Sequence, residues 1–177
     1  MRKQVLLAAM LVAGTGFIAT GVASACGDKF VLLGRGARVA RSQFPSSILI
    51  FSNPSSRVPA AEKEFRLEAT LRAAGHKPVV AESEAEVHKA LSSGKYDLVL
   101  ADVTDAPALR KEASAATSKP VVLPILYKPT PAELSAAEKE ANCMVRPSNK
   151  SRDLLIVVDE TMKSRRAGVA AVCATGP

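Results

Sequence analysis

Two clusters of polar residues in this 177-residue chain have types and spacing that could support chemistry, provided a fold brings them together. Ser52-Asn53, followed by Ser55 and Ser56, comes directly after an apolar run, and Asp102, Thr104 and Asp105 come directly after another. Gathered at neighbouring strand ends, with Arg146 as a cation, the set Ser52, Asn53, Asp102, Thr104 and Arg146 offers hydroxyl, amide, carboxylate and guanidinium contacts for a small polar ligand. As an enzyme the set is weak. Ser52, Ser55 and Ser56 are nucleophiles in principle, but His76 falls in a turn and His88 on a surface helix, so neither is placed as their base. Asp102 and Asp105 could pair for acid–base work, yet both suit ordinary turn and cap positions. No catalytic residue and no cofactor are expected. With two histidines and no Cys-x-x-Cys or Cys-His cluster, no metal site is expected either.

The cysteines form a third group. Met1 to Ala25 reads as a secretory signal: Arg2 and Lys3 are the positive n-region, Val5 to Val12 the apolar h-region, and Ala23-Ser24-Ala25 a small-residue cleavage site. Gly14, Thr15, Gly16, Thr20 and Gly21 interrupt the apolar run short of the about 20 residues that span a bilayer. Cleavage would leave Cys26, Cys143 and Cys173 in an oxidising compartment, periplasmic or secreted. Three is an odd number, so one thiol is left over or modified. Ala23-Ser24-Ala25-Cys26 also resembles, weakly, a bacterial lipobox, with Ala23 where a larger aliphatic residue is usual. These three residues are therefore candidates for lipidation or a disulfide, with the connectivity open.

Composition bounds the partners. Apolar residues are 47% of the chain, charged residues 23% and aromatics 4%, with no Trp, which excludes wholesale disorder and predicts an aliphatic core. The length allows one domain and excludes a large multidomain enzyme. The net charge of +7 falls to about +5 without Arg2 and Lys3, too modest and dispersed for nucleic acid. The expected partner is an envelope or extracellular protein, with a membrane involved only if Cys26 carries lipid. The oligomeric state cannot be read from the sequence.

The elements that would position these groups alternate. A short extension, residues 26–46, carries the apolar run Phe30-Val31-Leu32-Leu33, a strand and turn leading into the domain. Its Arg35, Arg38 and Arg41, spaced by three, would make a basic face on a helix and otherwise a solvated linker. From Ser47, apolar runs alternate with amphipathic stretches, the pattern of βαβ units. Strands are predicted at Ile48–Phe51, Lys77–Ala81, Asp97–Ala101, from Pro120, and at Cys143–Val145. Helices are predicted from Pro59 to Ala74, after Ser83, over Asp105–Thr117, from Thr130 to about Ala141, and from Ser151 to about Arg165. Residues 166–177 read as a frayed tail.

Five strands, five helices and an aspartate ending the third strand resemble a receiver domain of two-component response regulators, over residues 47–165. The likeness is carried by Tyr96-Asp97-Leu98-Val99-Leu100-Ala101-Asp102, Lys119-Pro120-Val121-Val122-Leu123, and Val145-Arg146-Pro147 before a helix. It implies an α/β, three-layer αβα sandwich with a five-stranded parallel sheet of order 2-1-3-4-5, flavodoxin-like, and any site at the carboxyl ends of the strands. Receivers hold Mg²⁺ with an acidic pair after the first strand; here that place reads Ser52-Asn53. Their hydroxyl residue falls near Pro124 or Ile125, and Arg146 stands where they carry lysine. The resemblance thus implies a domain without aspartyl phosphorylation, a pseudo-receiver serving as a protein interaction module, its partner face including Tyr127, Lys128 and the helix from Thr130. Tyr127 is an amphipathic anchor there or, alternatively, a ring packed on its own helix. The second function considered is small polar ligand binding at the strand ends.

Overall fold

The computed structural model describes residues 30–33, 37–146 and 151–170. Its centre is a parallel sheet of four strands, ordered β4-β3-β5-β6. Each strand is a short run with an aliphatic core: β3 (Ser47–Phe51), β4 (Lys77–Ala81), β5 (Leu98–Asp102) and β6 (Val121–Ile125). A two-stranded antiparallel hairpin, β1 (Phe30–Leu33) and β2 (Ala37–Ala40), precedes them. Arg38 therefore lies in a strand, and the basic spacing makes neither a helical face nor an unstructured linker there.

Strand alternation divides the core. Ile48, Ile50, Leu98, Leu100, Leu123 and Ile125 face α1 (Val58–Phe65), α2 (Leu67–Ala73) and α6 (Ser151–Arg166). Leu49, Phe51, Val99, Ala101 and Val122 face α3 (Glu84–Ser92) and α4 (Ala106–Ala115). Because both faces are covered, the strands read as unbroken apolar runs rather than alternating ones. α5 (Pro131–Glu140) closes the margin, with Ala137 against Leu126 and Met144. This is a parallel α/β architecture compatible with a flavodoxin-like fold. Among the described residues no helix is long and apolar enough to cross a membrane.

Two expectations need correction. The predicted fifth strand, Cys143–Val145, is a single parallel bridge between Ile125 and Val145. Val145 donates its N–H to the Pro124 carbonyl at 2.7 Å and accepts the Leu126 N–H at 2.8 Å. Val121 N–H bonds Asp97 O and Ile125 O accepts Val103 N–H, so alternation turns the backbone groups of Val122 and Pro124 outward. The next rung towards Cys143 would need a donor from residue 124, and proline has none. Pro78 holds the same outward position on the opposite edge, since Lys77 N–H and Ala81 O bond towards β3.

The predicted helix from Pro59 to Ala74 is two helices, broken at Arg66, whose φ of 51° is left-handed. Glu62 enforces the break: its carboxylate accepts the Glu68 N–H at 3.0 Å, capping α2 from within α1. Burial holds the Glu62 carboxyl above its ordinary range. Gly75, at φ 97°, then closes α2 with paired bonds, His76 N–H to Leu71 O and Gly75 N–H to Arg72 O.

Candidate functional site

The carboxyl ends of β3, β5 and β6 converge on one crevice. β5 delivers Asp102, only 5% exposed. One of its oxygens accepts the Arg57 backbone N–H at 3.1 Å; the other accepts the Thr104 N–H at 3.0 Å and the Thr104 hydroxyl at 2.9 Å. Its carboxylate thus ties the start of α1 to the start of the loop before α4. Asn53 is drawn into its own loop: Oδ1 accepts the Ser55 N–H at 3.0 Å, and the main-chain oxygen accepts the Ser56 hydroxyl at 2.8 Å. The Asn53 side chain also bonds Asp105, opposing a rise in the Asp105 pKa that burial causes and Asp102 reinforces. One Asp105 oxygen is buried without a partner. Ser52 is buried as well, and its N–H extends the sheet ladder to Ala81 at 2.8 Å.

Over this floor lies Arg57, which the sequence reading did not single out. Its guanidinium donates to the Tyr127 carbonyl at 3.3 Å and to the Glu133 carboxylate, in a two-pronged contact with both oxygens. Glu133 is fixed in turn by a capping box, in which its carboxylate accepts the Thr130 N–H at 2.7 Å and its own N–H bonds the Thr130 hydroxyl. Arg57 and then Thr130 hold the Glu133 carboxyl down to about 2. The local signal for Arg57 is only that it precedes Val58-Pro59 at a helix start. Its partner lies 76 residues away, beyond any local pattern.

Arg146 does not reach this crevice floor in any bond formed among the described residues; it pairs with Glu138 of α5 at 2.6 Å. The Arg57 guanidinium is held above its ordinary pKa by Glu133, with a smaller pull from Asp102. Tyr127 is 7% exposed, its hydroxyl on Glu64 and its ring edge-on to Phe65 of α1, with centroids 5.9 Å apart. The ring is therefore packed on its own domain and is not an exposed anchor. Lys128 bonds Glu64 at 2.7 Å and sits 4.8 Å from the Tyr127 ring centroid. Hydrogen bonding to Glu64, and after it to Tyr127, raises the Lys128 pKa.

The crevice encloses about 250 Å³, lined by Arg57, Asp102, Thr104, Tyr127, Glu133 and apolar neighbours, below the roughly 300–1,000 Å³ of typical ligand pockets. It does not suit the Mg²⁺ that receivers hold: the Asp102 oxygens already accept the N–H groups of Arg57 and Thr104, the Asn53 Oδ1 accepts the Ser55 N–H, and the Arg57 guanidinium lines the same crevice. Among the described residues no group of three or more His, Cys, Asp or Glu could hold a metal ion. The histidines are remote from this chemistry. His76 lies at the opposite, amino ends of the strands, bonded through Nδ1 to Ser46 at 2.9 Å, and His88 pairs with Glu112 across α3 and α4 at 2.7 Å. Cys143 is disulfide-bonded, while Cys26 and Cys173 lie outside the described residues. No protein-family model matches the chain, and no curated protein or solved structure does so either.

Proposed function

We propose that the protein is an exported, receiver-like domain that is not phosphorylated and works as a protein interaction module. The observation that carries this reading is the occupation of Asp102 by three donors of its own chain, beneath the Arg57–Glu133 brace. A phosphoacceptor needs an open oxygen and a cation beside it. Here the carboxylate acts as a loop clasp instead. The brace, together with Lys128 on Glu64, ties α5 and the connection before it to α1. Receivers commonly use the equivalent face for partners; in this chain it would be held in one arrangement, a preorganised surface for a partner protein. Lys128 and α5 form the centre of that face, with Tyr127 as its support from below.

Export is part of the proposal. The disulfide on Cys143 supports an oxidising compartment, as does the leader read in residues 1–25. The decisive experiment is mild cross-linking of the tagged full-length protein in its native envelope, followed by mass spectrometry of the recovered partners and of the protein's own N-terminus. A stoichiometric partner lost in Lys128→Glu, with a chain beginning at Cys26, is the expected result. Recovery of no partner, or of a chain retaining Met1, would refute it. The crevice favours a second reading, a small polar ligand held by Arg57, Thr104 and Glu133; a metabolite that raises the melting temperature of the wild type but not of Arg57→Ala would establish it.

A further inference from the structure

We propose that the amino end of the sheet is a basic surface that seats the protein on an anionic lipid bilayer. The cations that form it are scattered in the sequence and gathered by the fold. Lys77 opens β4, Lys95 comes three residues before β5, and Lys119 comes two before β6. Hydrogen bonds hold these strand starts at one level: Lys77 N–H to Ser46 O at 2.9 Å, Asp97 N–H to Ser47 O at 2.9 Å, and Val121 N–H to Asp97 O at 3.1 Å. Gly94 meets Thr117 so closely that a Cβ on the glycine would lie 3.4 Å from the threonine Cβ, which sets the Lys95 and Lys119 turns side by side.

Two further segments add arginines to the same end. Ser42 N–H bonds the Ala74 carbonyl at 2.9 Å, in the turn that leads to β4, and so brings Arg41 there. Arg165, at the end of α6, reaches the Ser118 carbonyl at 2.6 Å and Asp97 at 3.2 Å, and Arg166 lies 5.1 Å from the Phe44 ring centroid. The carboxylates bonded to these segments are already engaged, Asp97 by Arg165 and the Ser47 N–H, and Asp159 by Ser42 and the Gln43 N–H. Among the described residues, Arg41, Lys77, Lys95, Lys119 and Arg166 form no ion pair with a carboxylate, and all five are exposed.

Helix ends do not account for the lysines. A helix C-terminus favours cations within its last turn, whereas Lys77, Lys95 and Lys119 lie beyond the ends of α2, α3 and α4, past the carbonyls those helices leave unpaired. The opposite end of the sheet carries the reverse sign. Glu82, Glu84, Glu86, Asp102, Asp105 and Glu133 gather there, and its cations Arg57 and Lys128 are each paired. A molecule so divided turns its basic end towards a negative surface. With neighbouring strands about 4.8 Å apart, the backbones of Lys77 and Lys119 stand roughly 14 Å from each other across the sheet. The charges spread over a face and converge on no single point, which suits an array of headgroups. Val169 favours lipid over other polyanions: it is 60% exposed close to Arg166, held there by its N–H on Ser164 O, an apolar side chain that can enter the headgroup layer. Lys128 and the start of α5, on the face proposed for a partner protein, lie at the end of the sheet far from the bilayer.

The test is flotation of the full chain with vesicles of equal parts phosphatidylglycerol and phosphatidylcholine, against vesicles of phosphatidylcholine alone. The expected result is binding about tenfold tighter or more to the anionic vesicles, with the preference lost at about 1 M salt, where charges are screened beyond roughly 3 Å. Lys77→Glu, Lys95→Glu and Lys119→Glu combined should abolish the preference. Lys63→Glu, Lys111→Glu and Lys139→Glu, the same change of net charge placed on α1, α4 and α5, should keep it, with circular dichroism showing both triple variants folded. Residues 1–29 are common to every chain compared, so their own membrane affinity cancels between variants. Equal binding of the wild type to both vesicle types, or an equal loss in the two triple variants, overturns the proposal. So does tighter binding to duplex DNA or to polyglutamate than to the anionic vesicles, which would assign the surface to another partner. No partner protein enters the measurement, so failure here is separable from failure of the interaction-module reading.

Discussion

Asp102 is the residue that most separates resemblance from chemistry in this protein. Its position at the end of β5 is legible from the run before it, but its work is not: the Arg57 and Thr104 donors that engage it arise from loop geometry that no spacing rule specifies. If it is a clasp, Asp102→Ala leaves the part-buried Arg57 and Thr104 N–H groups without this acceptor and should lower stability by about 1 kcal/mol, while Asp102→Asn, which keeps one acceptor oxygen, should lose less; urea denaturation of both variants measures this. His76 carries a second prediction. It is 3% exposed, its Nε2 has no partner, and burial lowers its pKa, opposed only by Asp159 across the junction with α6. The unfolded chain then binds the proton more readily than the folded one. Stability from this group is fully present above about pH 6.5 and is lost as pH falls towards the depressed folded value. Thermal melts between pH 7.5 and 5 should show that decline in the wild type and a flatter profile in His76→Gln. Glu133 acts lower: its contribution is present above about pH 4.5 and is lost only as pH falls through about 2.

Among the elements, those with strong local signals are the ones read correctly. Lys77–Ala81 is a strand with the predicted bounds, α5 starts at Thr130 as predicted, and Gly75 ends α2. What failed was decided at a distance or by orientation. The break at Arg66 has no glycine or proline to announce it, because the force behind it is the Glu62 carboxylate reaching the start of α2. The fifth strand reads as an apolar run, yet Pro124 on its neighbour faces it and withholds the donor a longer ladder needs. A left-handed residue with a side chain is strained by roughly 1–2 kcal/mol, and glycine relieves this at some cost in chain entropy. Arg66→Gly should therefore raise stability by about 0.5–1 kcal/mol, read as a higher urea midpoint with an unchanged slope. A lowered midpoint would mean that the aliphatic stem of Arg66 contributes more than its backbone costs.

For the molecule as a whole, the parallel α/β architecture was legible because two covered faces leave a plain mark, uninterrupted aliphatic strands. The attachment of the N-terminal segment was not, since it rests on scattered contacts: Gln43 N–H on Asp159, Ser42 N–H on the Ala74 carbonyl at 2.9 Å, and Arg166 over the Phe44 ring at 5.1 Å. At the end of this segment Ser46 bonds the His76 ring at 2.9 Å, so the pH response predicted above involves the N-terminal segment and not the sheet and helices alone. The prolines at the two sheet margins reach further still, to how copies of this protein behave in a crowd. A strand arriving from another molecule at β4 would meet Pro78 where it needs a hydrogen, next to Val79, which at 46% exposed is otherwise an invitation to stack. Restoring that hydrogen in Pro78→Val should convert a quiet margin into a seed for fibrils, with light scattering and thioflavin fluorescence rising at concentrations where the parent chain stays clear.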